Sequence, residues 1–195
     1  MTKGTVSASR QSIKKARSVD DLLVIEAHAA LEYWANWRFD LKFKKRGWPE
    51  AWRTFEQRSS ALTKGPRHAT HPVNAILNYA YSIVAAQLIR SLAAYGLDPA
   101  CGFLHADAQG RYSLAYDIIE LLRADIDQRI LTWVASHTWK RADFPVTREG
   151  EVRLQPTLAA VVVQKARVEQ VEIDRCIEWL KAAIFETSAA TASAA

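Results

Sequence analysis

Cysteine is scarce in this sequence, with only Cys101 and Cys176 among 195 residues. Two cysteines are too few for a disulfide framework, so the class of small secreted domains that depend on one is excluded. A chain this poor in cysteine suits a reducing compartment, and we expect a cytoplasmic protein. Its first residues are basic and rich in serine without an apolar segment, and no signal peptide is expected.

A long, purely hydrophobic run is also lacking. Residues 72–89 carry no charge and could be mistaken for a membrane-spanning segment. This stretch contains Asn74, Asn78 and Gln87, however, and such polar side chains are costly in the hydrocarbon of a bilayer. The pattern therefore predicts a buried helix, and no contact with a membrane is expected.

What the sequence does have is a large apolar fraction and an uneven charge. Hydrophobic residues make up 49% and charged residues 24%, which is typical of a globular domain, and 195 residues suffice for one core. The formal net charge is +5, and residues 1–67 hold 14 Lys or Arg against 7 Asp or Glu. A basic front section indicates contact with a polyanion, although a solvated charged face explains a surplus of this size equally well.

Helical signals dominate the chain, and the predicted fold class is all-α, a helical bundle. Ser18 is expected to cap a first helix that runs to about Arg46. Pro72 suits the start of a later helix and Gly96 its end. Further helices are predicted over residues 49–61, 113–140 and 156–185. Residues 97–112 are expected to form a long connection.

The sequence predicts one helical domain with a tail at each end. Residues 1–18 are expected to form a basic flexible tail, residues 19–186 the helical domain and residues 187–195 a disordered tail. Alternation around Gly150 predicts one small β-hairpin near residues 144–154.

Glu26 occupies an awkward position on the first predicted helix. Its neighbours one turn away on either side are apolar, namely Leu22, Leu23, Ala29 and Ala30. A carboxylate on an apolar stripe loses hydration and needs a cation or strong donors in return. A buried Glu–Arg pair would satisfy it as well as a metal ion would, and the residues alone leave both open.

Asp117 and Glu120 are three residues apart, so they project from the same side of one helix. Most such pairs are simply solvated, and a lone loop histidine such as His105 is more often a surface residue than a ligand. A neutral imidazole can nevertheless complete a site with two carboxylates. Glu26, His105 and Glu120 together would form an oxygen-rich site that favours Mn²⁺ or Mg²⁺ without excluding Zn²⁺.

Four segments, taken together, resemble a known family. Residues 25–34 (IEAHAALEYW) are similar to the first motif of CRISPR-associated protein 1, the integrase of spacer acquisition. Residues 71–81 (HPVNAILNYAY) resemble its central Asn/Tyr helix, residues 96–105 (GLDPACGFLH) its histidine motif and residues 113–120 (SLAYDIIE) its acidic motif. Order and spacing agree along the chain, which makes the four motifs specific as a set.

The resemblance implies both a site and a reaction. Glu26, His105 and Glu120 match the family's three metal ligands, with Mg²⁺ or Mn²⁺ as the expected cofactor, and Asp117 falls on an accessory acidic position that supports the site. All four are therefore expected to be catalytic residues of a helical catalytic domain. The implied reaction is metal-dependent DNA strand transfer, in which a prespacer 3′-hydroxyl attacks a repeat phosphodiester, together with cleavage of branched DNA.

DNA is the expected partner, and basic residues are available to bind it. Cations of the front section can hold the DNA backbone without reading its sequence. Tyr81 and Tyr116 could position DNA ends, but an aromatic residue on a helix more often packs in a core, and a core position is expected for each. The residues considered for DNA contact are Lys42, Lys44, Lys45, Arg46, Arg67, His68 and Tyr116.

The sequence departs from the family pattern at its start. Family members carry a β-rich domain before the helical one, whereas only 25 residues precede Glu26, and we expect that domain to be absent. Partners to consider besides DNA are a second copy of the chain, CRISPR-associated protein 2 and a separately encoded N-terminal domain. The main alternative function is a non-catalytic DNA-binding or assembly module, and the third is a helical scaffold that binds neither DNA nor metal.

Overall fold

The chain divides into two compact units. The computed structural model describes residues 12–36, 39–40, 48–55, 68–103 and 112–192. The first unit comprises Met1–Asn78 and Thr132–Pro156, and the second comprises Tyr79–Leu131 and Thr157–Ala195.

Helices make up most of the described chain. They are α1 (Val19–Asn36), α2 (Pro72–Ala94), α3 (Ser113–Ser136), α4 (Pro156–Ala166) and α5 (Gln170–Ala192). Two strands of two residues each, β1 (Phe39–Asp40) and β2 (Thr54–Phe55), pair antiparallel. The predicted all-α class is therefore confirmed.

Several helix ends follow the signals in the sequence. The hydroxyl of Ser18 accepts a hydrogen bond from the N–H of Asp21 (3.1 Å), and the Asp21 carboxylate accepts one from the Ser18 N–H (3.2 Å). Such a reciprocal pair satisfies two N–H groups at the start of α1. Pro72 begins α2, and Gly96, with φ of +74°, follows its end. The predictions for Ser18, Pro72 and Gly96 are confirmed.

The helices predicted before residue 62 are wrong in part. α1 ends at Asn36 rather than near Arg46, and a 3₁₀ turn at Glu50–Trp52 followed by β2 replaces the start of the helix predicted over residues 49–61. Trp52 and Phe55 are 3% and 1% exposed. Burial of two large aromatic side chains outweighs helix propensity, which differs by less than about 1 kcal/mol per residue among ordinary residues.

The β-hairpin predicted near residues 144–154 is present as a single antiparallel bridge between Val146 and Val152. Gly150 takes a φ of +88° in the turn, a left-handed conformation that glycine adopts without steric cost. The N–H of Val152 also donates to the carbonyl of Ala69 at 2.7 Å. This hydrogen bond ties the hairpin to the segment that leads into α2.

Aromatic side chains form the core of the first unit. Trp52, Trp139 and Phe144 are at most 3% exposed. The ring centroid of Phe144 lies 6.1 Å from that of Trp52 and 5.3 Å from that of Trp139. The indole N–H of Trp52 donates to the carbonyl of Thr70 (3.0 Å), and that of Trp139 to the carbonyl of Val134 (3.2 Å). Both rings are thus buried without leaving a donor unsatisfied.

Aliphatic side chains form the core of the second unit. α2 contributes Val84, Leu88 and Leu92, which are spaced four residues apart and are 0% exposed. Spacings of three and four residues place such side chains on one face of a helix. The other helices contribute Ile119, Ile126, Ile130, Val162, Ile173 and Ile177.

The charge-free stretch at residues 72–89 lies within α2, and most of its apolar side chains are buried, as predicted. Among the helices of the described ranges, none combines the length and the hydropathy that crossing a bilayer requires.

His71 lies buried immediately before α2 and stabilises the start of that helix. Its Nδ1 accepts a hydrogen bond from the N–H of Val73 at 3.1 Å, so the ring proton is on Nε2, which donates to the carbonyl of Trp52 at 3.3 Å. Burial lowers the pKa of His71 to about 4, although the contact with the Trp52 carbonyl acts in the opposite direction. The neutral imidazole is therefore the form that fits this site.

We predict that His71 makes the protein less stable as the pH falls from about 6.5 to about 4. The unfolded chain takes up a proton near pH 6.5, whereas the folded chain takes it up only near pH 4. The contribution of His71 is therefore complete above pH 6.5 and decreases through this window, by at most about 3 kcal/mol. Urea unfolding at a series of pH values measures this change.

Two variants separate His71 from the other titrating groups. His71→Gln is expected to remove this part of the pH dependence, whereas His28→Gln, at an exposed histidine, is expected to retain it. Identical pH profiles for the two variants would contradict the prediction.

Candidate active site

The loop before α3 is fastened to the first turn of that helix. The carbonyl of Pro99 accepts hydrogen bonds from the N–H groups of Leu114 (2.9 Å) and Ala115 (3.3 Å). These N–H groups have no acceptor inside a helix, so a backbone oxygen takes the place of a side-chain cap. The loop therefore continues alongside α3 towards Gly102 and Phe103.

Asp117, the residue predicted to support the site, holds the same loop at a second point. Its Oδ2 accepts a hydrogen bond from the N–H of Phe103 at 2.5 Å. Only 9% of Asp117 is exposed, and a hydrogen bond to a charged acceptor contributes about 1.5–3 kcal/mol. The carboxylate thus fixes the backbone at Phe103, two residues before His105 in the sequence.

Gly102 allows this close approach. A Cβ atom at this position would lie 2.5 Å from the Cβ of Ser113 and 2.9 Å from the Oδ2 of Asp117. Both distances are shorter than van der Waals contact, so any side chain would push the loop away from α3. A residue without a side chain is required here for the hydrogen bond between Phe103 and Asp117 to form.

Glu120 lies one turn after Asp117 on α3 and begins a series of polar contacts. Its Oε1 lies 2.6 Å from an Nη of Arg123, and the Glu120 side chain is 21% exposed. The guanidinium of Arg123 stacks over the ring of Tyr81, 5.2 Å from its centroid. The Tyr81 hydroxyl in turn donates to the carboxylate of the fully buried Asp127. These contacts connect Glu120 to the interior of the second unit.

Arg123 and Asp127 are functional candidates that the sequence reasoning missed. The signal for Arg123 was present, because opposite charges three residues apart pair on a helix surface. The contact of Tyr81 with Asp127 had no such signal, because the two residues are 46 positions apart. Tyr81 itself is 8% exposed, which confirms its assignment to a core.

Glu26 lies on α1 in the first unit, and its side chain is exposed. The expectation that this carboxylate is desolvated is therefore wrong, and so is the alternative of a buried Glu–Arg pair. The physical reason is that apolar residues of α1 are themselves exposed to solvent, Val24 by 59% and Leu31 by 71%. A hydrated carboxylate remains a suitable ligand for a divalent cation.

Some of the other predicted site residues lie within the described ranges and some lie outside them. His68 is exposed. Tyr116 is 38% exposed on α3 beside Asp117, so the expected core position of this ring is wrong. The structure brings Asp117 together with the loop at Phe103 and places Glu120 one turn away. The convergence of Glu26, His105 and Glu120 stays a prediction. Outside the described residues lie His105, Lys42, Lys44, Lys45, Arg46 and Arg67.

The chemistry of the predicted ligands suits a hard divalent cation. Carboxylate oxygens, as on Glu26 and Glu120, are the ligands that Mg²⁺ and Mn²⁺ prefer, and an imidazole nitrogen is compatible with them. Within the described ranges, which leave out His105, no three His, Cys, Asp or Glu side chains gather closely enough to hold a metal ion.

We predict that Gly102→Ala destabilises the protein by about 1–3 kcal/mol, the usual effect of forcing an extra carbon into a packed site. The control is Gly96→Asn, because nothing lies within 4 Å of a Cβ at that position and asparagine tolerates a φ of +74°. Thermal unfolding of both variants and the wild type measures the effect. A midpoint for Gly102→Ala equal to that of the wild type would show that the contact with α3 is not tight.

Comparison with known proteins identifies relatives of this chain. Residues 3–167 match the family described as CRISPR associated protein Cas1. The CRISPR-associated endonuclease Cas1 1 of Archaeoglobus fulgidus is 37% identical over 127 residues, which are 65% of this chain and 34% of that protein. The corresponding endonuclease of Leptospira interrogans is 29% identical over 141 residues, 72% of this chain and 51% of that protein. The chain thus spans a third to a half of the length of these relatives.

Solved structures show the same likeness. A casposase bound to integration product superposes with a TM-score of 0.70 at 27% identity, covering 83% of this chain and 45% of that chain. A Cas1 protein from Thermotoga maritima superposes with a TM-score of 0.64 at 22% identity, covering 83% of this chain and 48% of the other, which supports the fold. Because the family match extends over most of the sequence, the resemblance seen in the motifs is confirmed, and this chain belongs to the CRISPR-associated protein Cas1 family.

Proposed function

We propose that this chain is the helical catalytic domain of a divalent-metal-dependent DNA integrase or endonuclease. Membership of the Cas1 family supports the proposal, and several relatives carry the name endonuclease. A structural neighbour is a casposase bound to integration product. The proposed reaction transfers a DNA 3′-hydroxyl to a phosphodiester, and its reverse cleaves branched DNA.

The observation that carries the proposal is the fastening of the Phe103 backbone to Asp117. His105 follows Phe103 by two residues, and two peptide units reach at most about 7 Å. The hydrogen bond therefore limits how far the imidazole can be from α3, the helix that carries Glu120. This limit supports the proposal that the imidazole of His105 and the carboxylate of Glu120 belong to one site.

The residues of the proposed site have three different roles. Glu26, His105 and Glu120 are the proposed ligands of Mg²⁺ or Mn²⁺. When bound, the ion neutralises charge that develops on the phosphate and lowers the pKa of the attacking hydroxyl. Asp117 positions the loop through the hydrogen bond that it accepts from the backbone N–H of Phe103. Arg123 holds the carboxylate of Glu120 in one orientation by charge and hydrogen bonding.

DNA is the proposed substrate, and the contacts proposed for it do not depend on the base sequence of the DNA. Tyr116, 38% exposed next to Asp117, can stack on a base. Cationic side chains contribute by neutralising phosphates. The residues proposed for this second role are Lys42, Lys44, Lys45, Arg46, Arg67 and His68.

Further chains are proposed as partners of the domain. They are a second copy of this chain, CRISPR-associated protein 2 and a separately encoded N-terminal domain. Each can be added to the reaction in turn, and an increase in product identifies the partner that the domain needs.

We predict that Glu26→Gln, His105→Ala and Glu120→Gln each lower metal-dependent product formation by roughly 100-fold or more, because each removes a group that supports charge stabilisation in the transition state. Product is measured on branched DNA with Mg²⁺ or Mn²⁺, as strand transfer and as cleavage. The matched control is Asp125→Asn, which neutralises an exposed carboxylate on the same helix as Glu120 and is expected to retain activity.

Two outcomes would contradict the catalytic proposal. Activity that persists in both Glu26→Gln and Glu120→Gln would exclude these carboxylates as ligands. DNA binding without any metal-stimulated product in the wild type, with every partner chain added, would favour the non-catalytic DNA-binding module.

We predict that Mn²⁺ binds the wild-type protein and that binding is weakened at least about tenfold by Glu120→Gln, because a coordinating oxygen is lost. Electron paramagnetic resonance of free Mn²⁺ during a titration reports binding without requiring activity. Asp125→Asn is expected to bind like the wild type. Equal binding by Glu120→Gln and Asp125→Asn would show that Glu120 is not a ligand.

A further inference from the structure

A cleft in the second unit carries two arginines that the proposed metal site does not use. Its volume is about 500 Å³, and it lies between α2 and the connection from α4 to α5. The polar residues that line it are Gln87, Arg90, Ser91, Tyr95, Arg167 and Gln170.

The two guanidinium groups of this cleft are available to a ligand. Arg90 and Arg167 are both exposed, and neither side chain has a hydrogen bond or an ion pair within the part of the chain that the structure describes. Two like charges that line one concave surface repel each other. An anion between them would remove that repulsion and gain charge-assisted hydrogen bonds.

The position of Arg167 relative to Arg90 is fixed by a reciprocal pair of hydrogen bonds. The side-chain amide of Gln87 donates to the carbonyl of Val168 at 3.0 Å and accepts from the N–H of Val168 at 3.2 Å. Arg167 directly precedes Val168, and Arg90 lies three residues after Gln87, on the same side of α2. Both arginines therefore extend from backbone that one side chain holds together.

Two further hydrogen bonds make the cleft more rigid. The guanidinium of Arg129 donates to the carbonyl of Arg167 at 3.1 Å. The side-chain amide of Gln170 donates to the hydroxyl of Ser91 at 3.0 Å. These hydrogen bonds hold the backbone that carries the two arginines, so little backbone entropy is lost when a ligand binds.

Two acidic groups near the cleft, Asp174 and Glu178, have partners of their own. Asp174 accepts a hydrogen bond from Gln170 at 2.8 Å, and Glu178 lies 3.2 Å from the Nζ of Lys181. That ammonium group also lies over the ring of Tyr95, 5.2 Å from the centroid. These contacts leave Arg90 and Arg167 as the cations of the cleft lining to which an anion would bind.

We infer that Arg90 and Arg167 bind a phosphodiester of duplex DNA, as a contact additional to the residues proposed at the metal site. The inference rests on the proposed function in one respect, namely that DNA is the substrate. The planar fork of a guanidinium matches two phosphate oxygens, and such a contact positions DNA without reading its sequence. The open cleft and its exposed arginines suit a backbone that runs past the protein.

The salt dependence of DNA affinity tests this inference directly. Arg90→Ala and Arg167→Ala are each expected to weaken binding of a duplex roughly tenfold at 0.1 M salt. Each is also expected to reduce the magnitude of the negative slope of log K against log salt by about one, and the double variant is expected to reduce it by about two. Lys165→Ala and Arg175→Ala are matched controls, since they remove exposed cations of the same unit that do not line the cleft. Arg→Lys at both positions is expected to restore the slope.

Measurements of DNA affinity and of product formation, made on the wild type, Glu120→Gln and the arginine variants, separate this inference from the proposed function. If Glu120→Gln abolishes product while the two arginine variants bind DNA like Lys165→Ala, the inference is overturned and the proposed function stands. If the arginine variants lose affinity and slope but the wild type forms no product, the inference stands and the catalytic proposal fails. Stabilisation by inorganic phosphate that needs both arginines, with an unchanged DNA slope, would overturn the assignment to DNA.

Discussion

The candidate site depends on one hydrogen bond, from the backbone N–H of Phe103 to the buried carboxylate of Asp117. A charged acceptor shielded from water gains much from a donor and loses much without one, so the loop and the helix stabilise each other. Gly102 makes the contact sterically feasible, and the carbonyl of Pro99 secures the loop at the helix end. The backbone of the loop at Phe103 is thereby held against α3.

Residues on α3 were the part of the site that the sequence could predict. The spacing of Asp117 and Glu120 determines their common side on any helix, and the motifs added the identity of the family. The tight contact at Gly102 could not be predicted, because it depends on how closely two backbones pack. The exposure of Glu26 could not be predicted for a related reason, since the sequence of an apolar stripe on α1 does not show whether another surface covers that stripe.

The fold shows the same division between local and tertiary causes. Caps and breakers such as Ser18, Pro72 and Gly96 act within a few residues of themselves, and the helix ends that they predict are observed. Trp52 and Phe55 lie in a segment with helical signals but form a 3₁₀ turn and a short strand, because their rings are buried there. Local preference decided where α1 begins and where α2 begins and ends, and the packing of large side chains decided where a predicted helix did not form.

The pairing of Gln87 with Val168 has a consequence for the chemical lifetime of the protein. A primary amide presents one donor and one acceptor, as a peptide group does, and here it meets both groups of a single residue. Hydrolysis of that amide would turn Gln87 into a glutamate and replace its donor with an oxygen facing the Val168 carbonyl. Two lone pairs would then oppose each other and weaken the attachment of Val168 to α2, while the hydrogen bonds of Arg129 and Gln170 would remain.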